Sequence, residues 1–210
     1  MGARREDTEA GNVISLAARR GGGGPPCFEV LERYWQDIAR GRLVPDRRDV
    51  NPRRLEPALD HVFVVQRVAP GVARLRVAGV HLTDLMGMDM RGMPLSCLFH
   101  ADARPLLAET LEAVFTEPAR VELSLVALRP LLRARVTARM LLLPLRDDHG
   151  RVSRAIGCLD ARGPARAPQR FSIDGHTHRT LIGYGQPPVR TAKGPDAQRP
   201  ALSLVWSSDG

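Results

Sequence analysis

The chain has 210 residues, 43% of them hydrophobic and 26% charged, with a formal net charge of +8. That is enough apolar material for one folded core with tails, and it excludes collagen-like, coiled-coil and wholly disordered classes. The longest apolar stretch, 140–145, is too short to cross a bilayer and contains Pro144, so no membrane association is expected.

Residues 1–26 are charged and then glycine-rich, ending in a four-glycine run before Pro25-Pro26, and read as a flexible tail. Phe28, Leu31, Trp35 and Ile38 then recur at helical spacing between polar residues, and Gly41 stands where a left-handed C-terminal cap belongs. This predicts an amphipathic helix with one apolar stripe. Asp46, Arg47, Arg48 and Asp49 read as a solvated linker with internal Arg–Asp pairs. Asn51 followed by Pro52 starts a short helix over 52–59.

Strand signals follow. Residues 61–68 are rich in β-branched side chains, Ala69-Pro70-Gly71 is a turn, and 72–80 alternates, with Leu75 and Val77 on one face and Arg74 and Arg76 on the other. The two runs form an antiparallel hairpin. From 81 to 99 the chain is irregular and methionine-rich, which fits one or two short helical turns. Asp102 can cap a helix over 103–115 whose buried stripe is Leu107, Leu111, Val114 and Phe115. Three further strands, 121–127, 133–143 and 152–160, complete the pattern, the last two joined by a turn at Asp147-Asp148-His149-Gly150 whose adjacent carboxylates are expected to point apart and stay in water. Beyond 162 glycine and proline return, and only 170–173 and 202–206 offer pairing runs. The expected organisation is a tail over 1–26, a domain over 27–161, and a basic, mostly irregular tail over 162–210. Five antiparallel strands with helices on one face, preceded by an amphipathic helix, define an α+β fold.

Only one of 31 basic residues is lysine, Lys193. Such a skew reflects composition, and charge alone speaks to solubility and encounter. The second functional reading, an arginine-rich nucleic-acid-binding protein, rests on that charge. No helix-turn-helix, zinc finger or stacking aromatic surface accompanies it, so nucleic acid is not the expected partner. Cys27, Cys97 and Cys158 are odd in number and lack a CxxC pair, which places the chain in a reducing compartment. No signal peptide or myristoylation site precedes them, and the expected localisation is cytoplasmic.

The order of elements, and the words within them, resemble the PAS superfamily, in particular a short PAS-like family of alphaproteobacteria formerly described as a domain of unknown function. The resemblance is carried by Tyr34-Trp35, by Leu43-Val44-Pro45-Asp46-Arg47 and by Asp49 to Pro52. It continues through Arg76-Val77-Ala78-Gly79-Val80-His81-Leu82, Leu85-Met86-Gly87 and Arg91-Gly92. Ala138-Arg139-Met140-Leu141-Leu142-Leu143-Pro144-Leu145 and Gly157 complete it. It implies a curved sheet whose hollow, closed by short helices, holds a ligand or a partner. It also implies a sensor or adaptor in signalling with no catalytic set to carry over.

On that basis the candidate pocket lining is Leu85, Met86, Met93, Leu98, Phe99 and Leu111. Methionine thioethers suit an adaptable pocket there, and equally suit plain core filling. Leu31, Trp35 and Ile38 are the candidate surface for a homodimer or a signalling partner such as a kinase or regulator. No cofactor is expected. The helix before the last three strands carries no histidine for haem, His100 lying just ahead of it. Ser96-Cys97-Leu98-Phe99 lacks the asparagine, arginine and glutamine that accompany the reactive cysteine of flavin-binding PAS domains. His176 and His178 fall on one side of a strand without enough neighbours to complete a zinc site, and read as solvated tail. No nucleophile elbow or phosphate-binding loop is present, so no catalytic and no metal-binding residue is assigned.

Overall fold

The apolar stripe of the first helix and the alternating residues of the strands meet across a single sheet, seen in a computed structural model that describes residues 26–129, 134–163 and 166–181. Helix α1 spans Pro26–Ala39, and Gly41 follows it in the left-handed region at φ 81°, as its spacing predicts. Asn51 accepts from the Arg53 amide at 3.1 Å and starts a 3-10 helix over Pro52–His61. Strand β1 (Val62–Ala69) turns into β2 (Val72–Ala78). Helix α2 (Val80–Met86) and the 3-10 turn Leu95–Leu98 cross to helix α3 (Arg104–Thr116). Strands β3 (Ala119–Arg129), β4 (Ala134–Arg146), β5 (Val152–Arg162) and β6 (Ser172–Thr180) follow.

The sheet order is β2-β1-β5-β4-β3-β6, and every pairing in it is antiparallel. The α+β class read from the sequence is therefore present, with six strands where five were expected. Strand β6 falls in the stretch that the sequence marks as irregular tail, because SIDGHTHRT carries no apolar alternation. It is held by its backbone ladder along β3, from Ala119↔Thr180 to Val126↔Ser172, as a polar edge strand is. The 202–206 run, the N-terminal tail up to residue 25 and Arg133 lie outside the described residues.

Both faces of the sheet are covered, and β4 shows how. Met140 and Leu142 point into an inner core with α2, the crossover and α3. Leu141, Leu143 and Leu145 point the other way, into a second core with α1 and the 3-10 helix Pro52–His61. The period-2 alternation of a strand assigns successive residues to opposite faces. The leading helix thus lies on the face opposite α2 and α3, a placement that helical periodicity alone does not fix.

Three local expectations are corrected. Asp102 does not cap α3: a 3-10 turn, Ala101–Ala103, intervenes, and the Asp102 carboxylate accepts from the Ser172 hydroxyl at 3.4 Å instead. Leu75 and Val77 do not share a face. Val64 pairs with Val77 and Val65 with Leu75, so Arg76 is the extra residue of a β-bulge that turns Val77 to the outer side, where it is exposed. Asp147 is not left in water: it is buried at the β4–β5 turn and accepts from the His149 and Arg151 amides and the Ser153 hydroxyl. Those bonds, Ser153 first, hold its carboxyl well below the usual range, at about 2.

Candidate functional site

On the inner face, the crossover lies across the sheet because β2 carries it there. The Leu75 amide donates to the Met93 carbonyl at 2.9 Å and the Gly92 amide to the Leu75 carbonyl at 2.7 Å. Leu85, Met86, Leu98, Phe99 and Leu111 are all buried in one cluster, and Met93 packs against it. The structure therefore brings together all six residues proposed from the sequence as pocket lining. A second clamp ties α3 to the β1–β2 hairpin. Glu112 accepts from Arg67 Nε at 3.1 Å, from Arg67 Nη2 at 2.5 Å and from the Gly71 amide at 2.7 Å.

On the outer face, α1 is fastened by more than its stripe. Trp35 Nε1 donates to the Pro144 carbonyl at 2.8 Å, and the Asn51 amide donates to the Tyr34 hydroxyl at 2.6 Å. Arg120, on β3, pairs with both Glu32 of the helix and Glu122 of its own strand. Cys27, at the helix start, shares a hydrogen bond with Cys158 of β5, and that contact together with burial pushes the Cys158 thiol up. Leu31, Trp35 and Ile38 are consequently buried, at 0%, 7% and 4% exposure. This corrects their assignment as a partner surface, because the stripe is spent on the chain's own sheet. Burial of each such side chain contributes about 1.5–3 kcal/mol.

A histidine pair closes the sheet end between the two layers. The His61 and His81 rings stand 4.5 Å apart between centroids. His61 Nδ1 meets the Leu159 carbonyl at 3.0 Å, and His81 Nε2 accepts from the Ala161 amide at 3.2 Å. Burial first, and the neighbouring His61 next, lower the His81 pKa from its ordinary value of 6.5. His176 and His178 sit on the ordered β6 rather than in a tail, and both line a shallow hollow beside Glu109 and Thr110 of α3. No group of three or more metal-ligating side chains occurs among the described residues. Cys97 lies in the 3-10 turn Leu95–Leu98, and His100 is exposed just after it.

The outer face also carries a groove that the sequence did not disclose. It measures about 280 Å³ between the sheet and the two 3-10 segments that follow α1, Arg47–Asp49 and Pro52–His61. Its apolar surface comes from Val62, Val64, Leu145 and Ile156 of the sheet, with Leu55 and Leu59 opposite. Arg47, Arg48, Arg76 and Arg154 line it, and no acidic residue does. The linker acids that were expected to pair with Arg47 and Arg48 are held elsewhere. Arg42 takes Asp46 at 2.5 Å and Asp49 at 2.5 Å. Arg76 follows the inward Leu75 and lines the groove beside Val77, its Nε donating to Gln66 Oε1 at 2.8 Å. Arg154 Nε is buried without a hydrogen-bond partner among the described residues. Burial, then the charges of Arg47 and Arg76, lower the Arg154 pKa, although a guanidinium stays charged. Four cations from three separate segments cannot be recognised as neighbours until the sheet pairs.

The six-stranded antiparallel sheet, with its helical crossover packed on the inner face, defines the class of domain to which the chain is compared. A family model described as a PAS domain matches residues 25–160, and the chain belongs to that family. Solved structures similar to it include a light-oxygen-voltage domain studied with a flavin analogue, at 16% identity and a TM-score of 0.39, covering 52% of this chain and 82% of that one. The light state of the blue-light photoreceptor Aureochrome1 LOV domain is similar at 15% identity and a TM-score of 0.39, covering 51% and 85%. Its dark state stands at 14% and 0.38, covering 54% and 80%. No curated protein matches the chain. Among the described residues, no helix is long and apolar enough to cross a membrane.

Proposed function

We propose that the chain is a non-enzymatic sensor or adaptor module in bacterial signalling, which binds a small ligand at its inner face or docks on a signalling protein such as a kinase or regulator. One observation carries the reading: β1, β4 and β5 each supply side chains to both the inner core and the α1 core. A ligand that repacks Met86, Met93 or Leu98 moves the strands on which α1 rests. The proposed mechanism is a shift in population between docked and released α1. A ligand exerts it only through different affinity for the two states.

Family membership supports a sensory role and leaves the ligand open. We propose that it is not flavin. Ser96-Cys97-Leu98-Phe99 lacks the polar residues that hold an isoalloxazine, and Cys97 is a partly buried neighbour of the core. The test is an absorption spectrum and a native mass of the full chain as purified, followed by a thermal-shift screen with hydrogen exchange on every hit. The reading expects no band in the visible range and expects inner-face ligands that also change exchange over 26–39. A visible flavin or haem band, or ligands that stabilise the chain and leave α1 exchange unchanged, would overturn it.

A further inference from the structure

We propose that the outer groove between the sheet and the segments after α1 is a binding site for a small phosphorylated organic molecule with an apolar or aromatic body. This site is separate from the inner face and does not depend on the reading given for it.

Two features of the groove identify the ligand class. Arg47, Arg48, Arg76 and Arg154 converge there without a carboxylate partner among the described residues. A phosphomonoester offers two charges and three acceptor oxygens to such a set, against the single charge of a carboxylate, and guanidinium forks match its geometry. The Nε of Arg154 is buried and has no acceptor among the described residues, so the side chain stands partly desolvated beside the groove. Between the arginines the wall is apolar, from Val62, Val64 and Ile156. Inorganic phosphate would leave that wall bare, and a neutral hydrocarbon would leave the charges unanswered. The volume of about 280 Å³ lies at the lower end of small-molecule sites, which suits a body of one or two rings rather than a macromolecule. The β2 bulge gives the arrangement its cause. Without the extra residue at Arg76, Val77 would turn inward with Leu75, and this part of the wall would be lost.

The experiment is calorimetric titration of the full chain, at physiological salt, with 1-naphthyl phosphate, inorganic phosphate and 1-naphthol. The expected result is one site for 1-naphthyl phosphate, with the other two probes binding at least about tenfold more weakly. Arg154→Gln and the exposed Arg76→Gln should each weaken it about tenfold or more. Arg179→Gln, on β6 far along the sheet order, should leave it unchanged. Circular dichroism melts establish that each variant folds, and Arg76→Gln keeps the test decisive should Arg154→Gln not fold. Absence of binding, equal affinity for inorganic phosphate, or equal loss in Arg179→Gln would overturn the proposal. The same phosphate chemistry exists on lipid headgroups. Sedimentation with phosphatidic acid vesicles that is lost in Arg76→Gln would replace the soluble ligand by a membrane surface and overturn this assignment.

Discussion

The ring of Phe63 lies over Gly157, its register partner across β1 and β5. A Cβ built at Gly157 would stand 2.4 Å from the ring and 2.7 Å from the Leu141 carbonyl oxygen. The inner core is closed at that point by the absence of a side chain. Gly157→Ala gains about 0.4–1 kcal/mol through the unfolded chain, but forcing a methyl against a buried ring and a strand carbonyl costs about 1–3 kcal/mol. The clash wins. Urea unfolding should show a lower midpoint with an unchanged slope, and the paired change Phe63→Leu with Gly157→Ala should recover part of the loss.

Trp35 anchors α1 to a carbonyl that β4 makes available. Pro144 lacks an amide, and it sits in β4 beyond the last β3 partner, Leu142, so no ladder bond is lost at that edge. Trp35→Phe removes the indole donor and some buried volume, and should destabilise the chain by about 1–3 kcal/mol. Hydrogen exchange should rise over 26–39 first. A uniform rise across the sheet would mean that the indole bond does not hold the helix specifically.

Acid should weaken the fold through His81. Its folded pKa is depressed, so the unfolded chain binds the extra proton first as pH falls. The stabilisation is full above 6.5, the ordinary value, and is lost as pH drops toward the lower folded value. Thermal midpoints measured from about pH 7.5 to about pH 5 should therefore decline. His81→Gln, which keeps an acceptor for the Ala161 amide, should flatten that decline. An unchanged slope in the variant would assign the effect to other groups.

Glu112 joins the hairpin turn to α3. Glu112→Gln turns an amide donor toward Arg67 and removes the charge. At about one-third exposure, 31% for each partner, solvent screening limits the loss to about 1 kcal/mol. Arg67→Met should cost a similar amount, and the double variant should cost less than the two added together, which a double-mutant cycle measures.

Much of this architecture could be read from the sequence because the signals are local. The α1 stripe, the Asn51-Pro52 start, the hairpin turn and the α3 stripe each declare themselves within a few residues. The inner cluster drew on local signals too, since Leu85, Met86, Met93, Leu98 and Phe99 lie close together in a methionine-rich stretch. What stayed hidden depends on pairing across distance. Strand β6 is polar and exists through the ladder with β3. The face on which α1 lies is set by β1, β4 and β5, not by α1. The Arg76 bulge needs the register of β1 to be visible, and the groove needs that bulge. Leu31, Trp35 and Ile38 show the converse: an apolar stripe states that it will be covered, but not by what.

Native-state hydrogen exchange of the full chain in rising, sub-denaturing urea, followed over 26–39 and over β4, tests the coupling between helix and sheet most directly. A sensor built on release of α1 requires that helix to open as its own unit, at lower free energy than β4 and well before global unfolding. If α1 amides exchange only when the whole sheet unfolds, the helix has no separate released state, and the sensory mechanism proposed here does not operate.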